Sequence, residues 1–214
     1  MLFRSVEVTY ERVHEADIRG WLARHLHDYV IGSVHVSPRS PYKAANVAAF
    51  VAGRSLPDIV GPYFDEVIGA ARSGLFDTIG HLDFVKRYLF PHVLPAQLAA
   101  APELYEPVLE ALVETGTALE INASGLRQLP RETYPSPAIV ARYRELGGRH
   151  VTIGSDAHRT DCFSYGLPEA YRHAAGAGFE ALAFRRGGER VLVALRAGTA
   201  SVPVGPNTGE PGSL

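Results

Sequence analysis

A single cysteine, Cys162, is all the thiol the chain has. No intrachain disulfide can form, and no cluster of thiolates is available to hold zinc. An excess of one charge is also missing. The 21 Lys and Arg residues face 23 Asp and Glu, for a formal net charge of -2. So near balance, the chain has no overall attraction for nucleic acid or an anionic membrane, and an anionic substrate would need local cations or metal. No apolar run is long enough to span a bilayer. The opening stretch Met1–Glu15 lacks the basic and then apolar regions of a secretory signal. A cytoplasmic location is the default expectation. What is present, 214 residues of which 46% are hydrophobic and 21% charged, is enough for one globular core of ordinary composition.

Short β-like runs alternate with helical ones. Val6–Thr9 and Asp28–His35 read as strands, and Val13–His25 between them carries a helical stripe of Val13, Ile18, Trp21 and Leu22. After a loop at Ser37–Pro41, helices are expected near Lys43–Ala52 and Asp58–Arg72. A strand is expected at Phe76–His81, a long helical region from Pro95 to Glu114, and a strand at Ala118–Asn122. A helix follows over Pro137–Leu146, broken by Gly147-Gly148, and then a strand over His150–Ser155. Alternation of this kind implies a parallel sheet, either wrapped into a barrel or doubly wound. Ala181–Leu195 reads as a hairpin turning at Arg185–Arg190, or as a strand passing into a terminal helix. The expected organisation is one domain over residues 1–198 and a flexible tail over 199–214, rich in Gly, Pro and Ser.

Metal-capable side chains fall where these strands end. Glu7 interrupts the first strand, His35 ends the second, and His81 ends the third with Asp83 just beyond it. Asp156 and His158 follow Val151-Thr-Ile-Gly-Ser155. In parallel α/β folds the carboxyl ends of the strands converge on one face, so residues distant in sequence can meet there. Imidazole and carboxylate suit zinc, iron or manganese, and cations so held can clamp a phosphate ester. Each residue also has a plainer reading. Glu7 could face solvent, His35 and His81 could be hydrogen-bonded strand caps, and Asp156 could cap a turn. The repeated placement favours a metal site. Asp83 could orient His81 or hold the following turn. His25 and His27 lie at the wrong end of their strand and are read as helix-terminal or surface residues. His14, His92, His150 and His173 are left as structural.

Five stretches carry a family resemblance: Val6-Glu-Val-Thr-Tyr10, Asp28-Tyr-Val-Ile-Gly-Ser-Val-His35, Gly74-Leu-Phe-Asp-Thr-Ile-Gly-His-Leu-Asp83, Leu119-Glu-Ile-Asn-Ala-Ser-Gly-Leu126 and Gly154-Ser-Asp-Ala-His158. In that order the chain resembles the histidinol-phosphate phosphatases of the PHP (polymerase and histidinol phosphatase) superfamily. The resemblance implies an α/β fold of the distorted (β/α)7 barrel type with up to three divalent cations (Zn, Fe or Mn). It implies hydrolysis of a small-molecule phosphate ester, L-histidinol phosphate, in histidine biosynthesis. Glu7 looks like the bridging carboxylate and, with Asp156, a catalytic group. His35 and His81 look like ligands completing one metal, Asp156 like a ligand of its neighbour, and His158 like a ligand of the third. Arg127 and Arg159 are candidate substrate-binding residues, because guanidinium pairs with phosphate, or else solvated surface arginines. The family's opening His-x-His segment has no counterpart here. The expectation is therefore a barrel truncated at its N-terminus, with only the Glu7–His35–His81 position keeping three ligands. Another phosphoesterase of the superfamily, or a catalytically impaired fragment, are the alternatives.

Overall fold

The computed structural model describes residues 4–36, 40–186 and 188–195. The expected tail at 199–214 lies outside these residues, as do 37–39 of the expected Ser37–Pro41 loop. In chain order the elements are β1 (Ser5–Thr9), α1 (Glu15–Arg24), β2 (Tyr29–Ser33), α2 (Val47–Val51), α3 (Leu56–Arg72), β3 (Thr78–Ile79), α4 (Val85–Leu89) and α5 (Pro95–Ala99). Then follow α6 (Pro102–Thr115), β4 (Ala118–Asn122), α7 (Pro137–Glu145), β5 (Val151–Gly154), α8 (Leu167–Gly176), β6 (Ala181–Arg186) and β7 (Glu189–Ala194).

β1 to β5 form one parallel sheet in strictly sequential order. The register runs Glu7 to Ile31, Ile31 to Thr78, Thr78 to Ala118 and Leu119 to Val151. Parallel neighbours need a crossover, and each one here includes at least one α-helix. The fold is thus mixed α/β around a five-stranded parallel sheet. β4 is buried along its whole length, the mark of a strand covered on both faces. The main helical support is α3 lying against α6. Ile59, Val60, Tyr63, Phe64, Val67 and Ala71 recur at helical spacing on α3 and are buried, as are Val108, Leu109 and Leu112 on α6. Each such large side chain contributes about 1.5–3 kcal/mol on burial. Ser55 caps α3 by accepting from the Asp58 amide, and α6 stops at Gly116 in the left-handed conformation, φ 69°.

Three sequence expectations change. The long Pro95–Glu114 helix is two helices, because Pro102 drives Ala101 out of the α region (φ -121°, ψ 67°). The third strand shrinks to Thr78–Ile79, since the chain turns away at His81, which has φ 29°. Helices α4 and α8 went unanticipated. The C-terminal segment resolves as the hairpin rather than the strand-to-helix alternative, with β6 and β7 antiparallel. It lies near the amino ends of the strands, where Arg185 donates to Asp77 (2.6 Å) and a small cavity is shared with Tyr29 and Ala118. That leaves the carboxyl ends of β1, β2, β3 and β5 for the polar residues. Among the described residues, no helix is long and apolar enough to cross a membrane.

Candidate metal centre

Glu7 sits in β1, and its carboxylate meets side chains from the ends of β2 and β3. Its Oε1 accepts from Ser33 Oγ at 2.6 Å and lies 3.2 Å from His81 Nε2 and 3.6 Å from His35 Nε2. Ligand atoms of Glu7, His35 and His81 all fall within 4.8 Å of one another, and this is the one such three-residue group found among the described residues. The spacing can be tested against a cation. Bonds of about 2.05 Å in a tetrahedral zinc site give ligand-to-ligand edges of about 3.3 Å. The two measured separations from Glu7 bracket that value, so the donor set fits a first-row divalent ion. Thr9 Oγ1 lies 3.0 Å from His35 Nδ1, which turns the opposite ring nitrogen of His35 toward Glu7.

Behind this triplet lies a residue that the strand-end reasoning did not single out. Glu120, on β4, is buried, and its Oε2 accepts from the His81 amide and from Asn122 Nδ2, both at 3.0 Å. The glycines preceding the strand-end residues make room for it. A Cβ on Gly154 would collide with the Glu120 carboxylate, and one on Gly80 would crowd both it and Ser33. The glycine before His81 and the one two residues before Asp156 therefore have a steric cause. His81 and Asp156 both have positive φ, 29° and 49°, a conformation uncommon for non-glycine residues that clusters at functional sites.

Electrostatics tie the group together. The hydrogen bond from His81, aided by Ser33 and by both imidazoles, holds the Glu7 carboxyl at about 2 against the opposing effect of burial. Burial, and then the His81 charge, lower the pKa of His35. Burial also opposes the charged form of His81, but the Glu7 hydrogen bond and the charges of Glu120, Glu7 and Asp156 outweigh it, so its pKa is raised. Burial raises Glu120. A metal must displace the His81 proton while Glu7 stays ionised. Zinc affinity is therefore expected to fall as pH drops from 7.5 to 5.5, about tenfold per unit once His81 is mainly protonated. Zinc titrations at the two pH values would check this, and equal affinities would remove His81 as a ligand.

The remaining candidates border the same cleft, of about 600 Å³, which Glu7 and His35 line together with Asp156, His158, Arg127 and Arg159. Asp156 Oδ1 lies 2.9 Å from His158 Nε2, and the His158 side chain is 85% exposed. These two face the triplet without joining it. Arg127 donates to the carbonyls of Ser155 (2.8 Å) and Asp156 (2.6 Å), which fixes the loop carrying Asp156. Arg159 is held bidentately by Asp161. Asp83 does not hydrogen-bond His81. Its Oδ2 accepts from Lys86 Nζ at 2.8 Å, so of its two readings the one that holds the following turn stands. His25 caps the end of α1, its Nδ1 donating to the Trp21 carbonyl (2.7 Å), and stacks with His27 on Trp21, away from the cleft.

No family model matches the chain. A probable histidinol-phosphatase of Deinococcus radiodurans is 35% identical to it over 158 residues, covering 74% of this chain and 58% of that protein. A second, from Thermotoga maritima, is 36% identical over 139 residues, covering 65% and 57%. This chain is a relative of the histidinol-phosphatases. It spans somewhat under three fifths of the length of these curated relatives. The crystal structure of histidinol phosphate phosphatase from Lactococcus lactis, complexed with zinc, L-histidinol and phosphate, superposes with a TM-score of 0.68. That match covers 87% of this chain and 70% of that one at 21% identity, a likeness of fold. The histidinol-phosphatase resemblance read from the five motifs and the similarity over whole segments thus agree.

Proposed function

We propose that this histidinol-phosphatase relative is a metal-dependent phosphomonoesterase that hydrolyses L-histidinol phosphate to L-histidinol and phosphate. The observation that carries the reading is the Glu7–His35–His81 triplet, at metal-ligand spacing on strand carboxyl ends of a chain related to these enzymes. The sequential parallel sheet is taken as wall of a distorted (β/α)7 barrel, with the described residues acting as one domain around the cleft. Glu7, His35 and His81 hold one divalent ion, which would be zinc, iron or manganese by the chemistry of its donors. Asp156 and His158 would supply ligands for neighbouring ions beside the Glu7 carboxylate. Ions so bound supply positive charge to the phosphoryl oxygens and lower the pKa of water. The chain's own residues do the rest. Ser33 and Thr9 orient Glu7 and His35, Glu120 fixes the His81 backbone, and Arg127 steadies Asp156. Arg159 can reach the substrate only by exchanging Asp161 for it.

The test is to load the purified chain with zinc, iron(II) or manganese(II), count ions and follow phosphate release from a panel of small phosphate esters. At least one tightly held ion per chain, with L-histidinol phosphate preferred, is expected. Preference for another ester or a nucleotide would keep the phosphoesterase and remove the histidinol assignment. Less than one ion per chain and no phosphate release would favour a catalytically impaired protein.

A further inference from the structure

At the amino ends of the strands, away from the metal cleft, the β6–β7 hairpin closes over a cavity of about 150 Å³. Tyr29, Ala118, Ala183 and Phe184 give it apolar walls, and Asp77, Arg185 and Arg190 bring charge to it. The two arginines are register partners, Arg185 on β6 directly opposite Arg190 on β7. Like charges so placed repel. Arg185 is neutralised: its Nη1 donates to Asp77 Oδ1 at 2.6 Å and its Nε to the Gly188 carbonyl at 2.9 Å. The other Asp77 oxygen accepts from the Val30 amide at 2.7 Å. Arg190 has no carboxylate partner among the described residues, and its Nη1 meets His150 Nδ1 at 3.1 Å. Burial, and then the Arg190 charge, lower the pKa of His150, so this contact gives Arg190 a neutral acceptor and no counter-charge. The cavity thus sets two guanidinium groups against one carboxylate.

We infer that this cavity is a binding site for a small organic carboxylate, held between the Arg190 guanidinium and the apolar walls at the amino end of the sheet. The unbalanced charge selects an anion, and guanidinium pairs with a carboxylate through two parallel hydrogen bonds. The walls decide what the anion carries. Two aromatic rings and two alanine methyls leave the outer oxygens of an inorganic oxyanion without partners, whereas they cover an apolar body. Size sets the limit. A cavity of about 150 Å³ takes a benzene-sized group, so the carboxylate is no larger than about benzoate. Bound there, it offsets the Arg185–Arg190 repulsion and ties β7, exposed along its whole length, to the strand ends. The site shares no residue with the metal cleft, so it stands independently of the phosphatase reading.

Benzoate is the probe, titrated by calorimetry into the full chain with and without added zinc, beside acetate and inorganic phosphate. Benzoate is expected to bind at a single site, equally in both preparations, and to raise the thermal midpoint. Arg190→Met should weaken it about tenfold or more. Arg190→Lys should recover only part, since it restores charge but not the fork. The Arg190 side chain is exposed, so both variants should melt close to the unmutated chain when benzoate is left out. Slower amide exchange along β7 on adding benzoate to the unmutated chain reads the site without any substitution. Benzoate binding that appears only with zinc would place it at the metal and overturn the inference. So would affinity unchanged in Arg190→Met, amide exchange along β7 unaltered by benzoate, or no benzoate binding at all. Inorganic phosphate bound as tightly as benzoate, with the same dependence on Arg190, would overturn the organic carboxylate in favour of a plain oxyanion site.

Discussion

Replacing Glu7 by alanine is expected to strip the zinc from the triplet and lower kcat/KM for L-histidinol phosphate by about a thousandfold or more. The size follows from the position of one oxygen. Oε1 of Glu7 is the point on which Ser33, His81 and His35 converge, at 2.6, 3.2 and 3.6 Å. Alanine removes a ligand and the only negative charge of the triplet, leaving two imidazoles that repel when protonated. Electrostatic stabilisation by bound cations amounts to several kcal/mol, and about 4 kcal/mol corresponds to a thousandfold in rate. The fold should survive, because the Glu7 side chain is 36% exposed and β1 pairs with β2 through backbone groups. Glu7→Asp, shorter by one methylene, cannot keep both imidazole separations and should fall between. Metal counting, phosphate release and a thermal melt on the same preparations check this. Undiminished turnover in the alanine variant would remove Glu7 as the bridging carboxylate. Full zinc retention with lost turnover would move Glu7 from ligand to proton handling.

Much of this centre could be read before any coordinates, for a physical reason. β-branched runs mark strands, parallel strands align their carboxyl ends, and a histidine or aspartate at such an end has few other reasons to be there. His35 and His81 are candidates on that ground, and Glu7 joins them from the middle of its strand. Asp156 and His158 reach the same cleft. What stayed hidden was set by partners remote in sequence. Glu120 sits in a wholly buried strand, and only Gly154, Asn122 and the His81 amide together explain its burial. The Arg127 guanidinium looked available because nothing in its neighbourhood of sequence reveals the carbonyls of Ser155 and Asp156. Helix α4 was missed because Phe84-Val-Lys-Arg-Tyr-Leu-Phe90 does not show a polar face, and its lysine is itself buried. The break before α6 has a signal in Pro102, which disfavours a helical Ala101, yet the expected Pro95–Glu114 helix runs through it. α8 carries Pro168 in its first turn, a start signal, and was overlooked among its alanines and glycines.

That buried lysine carries the largest expected change in stability. Lys86→Met should destabilise the fold by about 3–5 kcal/mol, the usual cost of breaking a buried ion pair from one side. The Lys86 side chain is 2% exposed, and its Nζ donates to Asp83 (2.8 Å), Glu132 (2.7 Å) and the Thr133 carbonyl (2.8 Å), over the ring of Tyr134. The two carboxylates are not equivalent once the cation is gone. Glu132 is 27% exposed and can turn to water. Asp83 is 1% exposed and cannot turn to water, so the penalty falls on Asp83. Asp83→Asn should therefore rescue Lys86→Met, and a double-mutant cycle by urea unfolding would show strong coupling. The pH dependence gives a second signature. Burial already raises the Asp83 pKa, with Lys86 opposing, and loss of Lys86 must raise it further. A carboxyl raised in the folded state binds its proton there first, so the variant gains stability relative to the parent as pH falls from 8 toward 5. A destabilisation of under 1 kcal/mol, or one that asparagine at 83 leaves unchanged, would mean that the methylene stem and not the charge holds this turn. In either outcome the link matters for the metal centre, because the same turn begins at His81.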